Sequence, residues 1–139
     1  MDEESWEAWV RRYGLRPAAT DLGEVRDMVR AETALGWDAD VELMRVGCVQ
    51  LFNAGALADV LTVWGAKGAN FDAHCSIDIQ LLCGAGLDEV KTHLWAARAY
   101  SEEATKALEY LLECEAAGDF EDFTVERWSR AMADYYETS

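Results

Sequence analysis

An all-α fold of about eight helices is what this chain predicts, and three observations carry it. Strand-like alternation is missing, and no Asn-Gly or Asp-Gly hairpin signal occurs. Apolar residues recur instead at helical spacing, as in Trp6, Trp9, Val10 and Tyr13, or in Ala104, Leu108, Leu111 and Leu112. Residues 49–64 (VQLFNAGALADVLTVW) also return, at a constant offset of thirty, as residues 79–94 (IQLLCGAGLDEVKTHL). The pairs Gln50/Gln80, Leu51/Leu81, Leu57/Leu87, Val60/Val90 and Thr62/Thr92 are identical, and Val49/Ile79, Phe52/Leu82 and Asp59/Glu89 are conservative. An apolar stretch, a small-residue turn and a second periodic stretch make up each copy, the pattern of a helical hairpin stacked on its neighbour. The architecture expected is stacked antiparallel hairpins, either a short α-solenoid or an irregular helical bundle.

The elements follow in order. A first helix is expected from about Glu3 to Tyr13, ended by Gly14 and barred from simple continuation by Pro17. Thr20 can cap a second, with Leu22, Val25, Met28, Val29 and Leu35 turned inward. Asp40 can cap a third, with Gly55 as its stop, and a fourth follows almost at once from Leu57 to Lys67. A connection that short makes the two antiparallel neighbours. Asp72 or Ser76 can open a fifth helix running through Cys83, and Leu87 a sixth that ends near Ala97. Ser101 caps the seventh and Gly118 stops it; Thr124 caps the last, with Val125, Trp128, Met132, Tyr135 and Tyr136 facing one way. These elements divide one domain, residues 1–139, into N-terminal capping helices (1–39), two repeated hairpins (40–70 and 71–100) and an acidic C-terminal hairpin (101–139). Ala116-Ala117-Gly118 falls where a third copy of the small-residue turn is expected.

The run Ala54-Gly55-Ala56-Leu57-Ala58-Asp59-Val60 followed by Lys67-Gly68-Ala69-Asn70-Phe71-Asp72-Ala73 resembles an ankyrin repeat, over residues 43–97. In that family a glycine-bearing turn joins two short helices, and a loop leads to the next unit. The family's Thr-Pro-Leu-His opening is replaced here by Ser76-Ile77-Asp78-Ile79. The resemblance implies protein recognition on one concave or loop-bearing surface, with no cofactor.

Charge narrows the function classes. Twenty-seven acidic residues against 12 basic give a net charge of −15. Such a chain repels phosphate backbones and anionic lipid surfaces, so nucleic acid and membrane are not the expected partners. Residues 101–139 alone carry a net −8, and between Glu113 and Glu126 there are six acids and no base. This end can steer a basic protein towards it, although a solvated helix face accounts for the same charge. No apolar run approaches the roughly 20 residues of a membrane span, and the acidic start MDEESWEAW is unlike a signal peptide. Cys48, Cys75, Cys83 and Cys114 sit in or beside apolar helical patterns, which reads as reduced thiols of a cytoplasmic protein.

Two sets of candidate site residues emerge. For partner binding they are Trp37, Phe71 and Asp72, with the loop Asp119, Phe120, Glu121 and Asp122. Trp37 lies between Gly36 and Asp38 in an expected loop, and Phe71 and Phe120 are either loop hot spots or staples to the core. Trp64 and Trp95 read as packing ridges between units. The rival set, for a small enzyme or small-molecule binder with a pocket between the repeats, is His74, Cys75, Asp78 and His93. A nucleophilic thiol needs an imidazole within hydrogen-bond reach, yet His74 and Cys75 are sequence neighbours whose side chains diverge on regular structure. A zinc site from His74, Cys75, Cys83 and His93 lacks the usual ligand spacing, and no Glu-x-x-His motif exists for a di-iron bundle. Gly84-Ala85-Gly86 lacks the Lys-Ser/Thr of a phosphate loop. The expectation is therefore a non-enzymatic interaction module without metal or cofactor, inhibitor- or immunity-like in size and acidity. A homodimer joined through its Trp-rich terminal helices is a third reading.

Overall fold

The computed structural model describes residues 5–137. Among them are eight α-helices, four short 3-10 turns and no strand, so the chain is all-α. Helix α1 (Trp6–Tyr13) starts at Ser5, whose hydroxyl accepts from the Ala8 amide, and stops at Gly14 with φ 70°. The expected start at Glu3 lies outside the described residues. Helix α2 (Leu22–Ala34) is entered through the 3-10 turn Ala19–Asp21, so Thr20 is not its cap. Helix α3 (Val41–Ala54) has Asp40 accepting from the Leu43 amide at 3.1 Å, and Gly55 closes it in the left-handed region. A 3-10 turn, Leu57–Asp59, leads into α4 (Val60–Lys67). Helix α6 (Leu87–Ala97) follows Gly86, α7 (Glu102–Ala116) is capped by Ser101, and α8 (Val125–Glu137) by Thr124, whose hydroxyl accepts from the Arg127 amide.

The expected fifth helix through Cys83 does not form. Helix α5 (Phe71–Ser76) has only six residues, and the chain is extended at Ile77 and Asp78 before a 3-10 turn, Ile79–Leu82. Two side chains account for the break. Asn70, rather than Asp72 or Ser76, supplies the cap, accepting from the Ala73 amide at 2.8 Å. Lys67 Nζ donates to the carbonyls of His74 and Ile77, both at 2.6 Å, which ends the helix. Ile77, Ile79, Leu81 and Leu82 are all buried. That spacing is closer to two than to 3.6, so one helix could not turn all four inward.

Helix α3 lies at the centre. Nine of its fourteen residues are buried, and it packs against α1, α2, α4, α5 and α8. A helix apolar on every side belongs inside a bundle. Its polar residue Gln50, fully buried, accepts from Trp9 Nε1 at 2.8 Å and donates to the Gly14 carbonyl at 2.7 Å, fixing α1 on α3. Helix α2 covers α3 and α4, and α6 pairs with α7. The two small-residue turns thirty positions apart meet backbone to backbone. A Cβ on Gly84 would stand 2.1 Å from the Phe52 carbonyl oxygen, and one on Gly55 would stand 3.2 Å from the Gly84 oxygen.

Candidate interaction face

Asn70 organises this face. While its Oδ1 caps α5, its Nδ2 donates to the Gly36 carbonyl at 2.8 Å, and the side chain is 9 % exposed. One buried amide therefore ties the 3-10 turn Gly36–Asp38 to the first turn of α5. The residues around it are left in solvent. Leu35 is 52 % exposed, Trp37 77 % and Phe71 66 %, with Asp38 and Asp72 exposed beside them. Asn70 thus joins two segments that carry three exposed large apolar side chains, Leu35 and Trp37 at the end of α2 and Phe71 at the start of α5.

Along α5 the face continues into a cleft of about 450 Å³ lined by Lys67, His74, Cys75, Asp78, Tyr110 and Asp119, among others. His74 Nε2 lies 3.4 Å from the Tyr110 hydroxyl, and the Tyr110 ring also packs against Trp64 at 5.8 Å between centroids. Lys67 sits over that ring at 5.8 Å. Burial pulls the Lys67 ammonium below the usual lysine range, while two carbonyls hold it in place. Asp78 pairs with Arg45 at 3.5 Å. Gln80 Nε2 donates to the Asp119 carbonyl at 2.7 Å, which brings the acidic loop to the cleft rim.

The candidate residues are thus distributed unevenly. His74, Cys75, Asp78 and Asp119 share the cleft, and Phe71 and Asp72 share α5 with the first two. His93 stands apart, half-buried on α6 and outside the cleft. Phe120 is buried against Phe123, ring centroids 5.3 Å apart, and offers no surface ring. Glu121 and Asp122 are exposed. Trp95 is no packing ridge. Val90, Leu94 and Ala97 form the inward stripe of α6, which leaves Trp95 62 % exposed, stacked 3.5 Å from the Arg98 guanidinium. Among the described residues no three His, Cys, Asp or Glu side chains are placed to hold a metal ion, and no helix is long and apolar enough to cross a membrane.

Sequence reasoning missed Leu35, Asn70, Lys67, Gln80, Tyr110 and Cys114 as parts of this face. Asn70 alone carried a signal, an asparagine three residues before Ala73 in cap position. Nothing in the sequence marks Lys67 as buried. Comparison with protein families, with curated proteins and with solved structures finds no match for this chain.

Proposed function

We propose that this protein is a non-enzymatic interaction module, inhibitor- or immunity-like, that docks a basic protein on the face built around Asn70. The observation that carries the reading is the pairing of the Leu35–Trp37 loop with Phe71 through one buried side chain. Tryptophan at the centre of an interface and a rim of carboxylates are the chemistry of a docking surface for a positive partner. Asp38 and Asp72 flank the apolar residues in sequence, and Asp119 adds an acid at the cleft, with Glu121 and Asp122 exposed on the same loop. The net charge of −15 supplies the long-range steering.

The ankyrin-like reading of the two echoed segments belongs to the same proposal, supported by the direct packing of their turns at Gly55 and Gly84. A cytoplasmic location goes with it, supported by four free thiols. A second reading, a small-molecule binder, draws on the cleft that gathers His74, Cys75 and Asp78. It is the weaker of the two, because His74 Nε2 meets the Tyr110 hydroxyl and the cleft's ammonium is already held by two carbonyls.

The test is capture from native cells with wild-type protein and with the Trp37→Ser/Phe71→Ser double variant, using Trp95→Ser as a control for general surface stickiness. A stoichiometric basic protein retained by wild type and Trp95→Ser, lost from the double variant and shed at high salt is the expected result. A partner that binds the double variant as well as wild type removes the reading.

A further inference from the structure

Helices α2 and α4 run side by side in the same direction, and four contacts set their register. Arg26 Nη2 donates to Asp59 Oδ2 at 2.9 Å, and Arg30 Nη2 to Thr62 Oγ1 at 3.4 Å. A Cβ on Gly65 would stand 3.9 Å from Thr33 Cγ2, and Asn70 reaches the Gly36 carbonyl at 2.8 Å. Small side chains along this seam leave a notch of about 350 Å³, lined by Arg30, Thr33, Ala58, Leu61, Thr62 and Gly65. Arg30 is exposed, and among the described residues no carboxylate pairs with it. In a chain with 27 acids and 12 bases, an arginine left open beside a largely apolar notch defines what fits there. The occupant is a large apolar side chain with a carboxylate next to it.

The chain carries that pair of groups itself. Trp37 and Asp38 are adjacent and exposed on the turn that Asn70 ties to α5, just beyond the Thr33 end of the notch. Within one chain Trp37 does not enter the notch, since it is 77 % exposed. We infer that a second copy fills it, in a two-fold dimer where Trp37 of each chain enters the notch of the other and Asp38 pairs with the other's Arg30. A knob and a hole close together on one face suit an isologous contact, because a single rotation satisfies both at once. Arg30 then meets the indole as well as the carboxylate, and Leu35, exposed between Thr33 and Trp37 in sequence, falls near the axis. Long-range charge opposes the pairing, since each copy carries a net −15. The dimer is therefore weakest at low ionic strength and tightens as salt screens that repulsion. A basic partner responds to salt in the opposite sense, and it would compete with the second copy for Trp37.

The test is equilibrium sedimentation of the full chain at concentrations up to about 0.5 mM, at low salt and at about 0.3 M. A reversible monomer–dimer equilibrium is expected, with Kd on the order of 10–100 µM at the higher salt and weaker at the lower. Trp37→Ser, and Gly65→Leu, which puts a side chain into the notch, should each raise Kd at least about tenfold. Arg30→Asp and Asp38→Arg should each weaken the dimer, and the double reversal Arg30→Asp/Asp38→Arg should bring Kd back to within about threefold of wild type. Far-UV circular dichroism checks that each variant keeps its helices. A chain that stays monomeric throughout, a dimer that Trp37→Ser leaves intact, a double reversal no tighter than the single ones, or an association that weakens with salt overturns the inference. Because the readout needs no partner, its failure is distinct from failure of the docking proposal.

Discussion

At the scale of single residues, the account rests on side chains that do two jobs at once. Asn70 caps α5 and holds the Gly36 carbonyl. Asn70→Ala should therefore cost about 1–3 kcal/mol, a lost cap plus a lost buried hydrogen bond, read by denaturant unfolding. Asn70→Asp keeps the cap acceptor but not the donor to Gly36, so it should recover only part of that loss. Gly84 makes a sharper prediction. A methyl group there would sit 2.1 Å from the Phe52 carbonyl oxygen, with backbone on both sides of the contact. Gly84→Ala should cost more than about 2 kcal/mol, whereas Gly23→Ala, with nothing within 4 Å and a helical position, should be neutral or slightly stabilising. Equal stabilities for the two alanine variants would contradict the close turn packing. Some of this was legible in sequence. Asp40, Ser101 and Thr124 cap the helices they were expected to cap, because an N-cap is a local motif. Lys67 was not legible, since its burial comes from the chain folding back ten residues later to offer the Ile77 carbonyl.

At the scale of elements, three helices meet on one guanidinium. Arg45 of α3 donates to the Ser76 carbonyl at the end of α5, to Tyr136 of α8 and weakly to Asp78, and lies 5.5 Å from the ring centroids of Tyr135 and Tyr136. Its side chain is only 13 % exposed. Arg45→Ala should lower stability by about 2–3 kcal/mol, because it leaves buried acceptors unsatisfied. The loss should be local in hydrogen exchange, with α8 amides opening before those of α3. Uniform acceleration across all helices would contradict a role for Arg45 in seating α8. Helix existence was readable from the 3.6-residue period in seven of the eight cases, but α5 was not. Its six residues are too few to show a period, and the buried run Ile77, Ile79, Leu81 and Leu82 is satisfied by an extended stretch and a 3-10 turn. The outward turn of Trp95 was equally hidden. Which face of α6 is inner depends on where α7 packs, and one sequence does not state that.

At the scale of the whole molecule, pH and charge give separate handles. Cys48 and Cys83 are raised from 9.0 to about 12 by burial. Their contribution to stability is complete below pH 9 and is lost as pH rises towards about 12, because the unfolded chain releases those protons first. Burial also lifts the Tyr136 phenol above its ordinary range, which adds loss above pH 10. Lys67 acts the other way, its desolvation penalty fading as pH approaches 10.5. The thiols dominate, so the melting temperature should fall between about pH 8.5 and 10.5, each thiol accounting for about 1.4 kcal/mol by pH 10. Cys48→Ala should melt with a visibly smaller fall over the same range. The acidic surface leads to the central claim, that a basic protein docks on the face centred on Asn70. It is tested most directly by hydrogen exchange on the captured complex against the free protein. The account predicts slowed exchange at residues 35–38 and 70–75, extending to 119–122, with α6 unchanged around Trp95. Protection centred on Trp95 and Tyr100, or on the α1–α8 side, with residues 35–38 and 70–75 untouched, would contradict it.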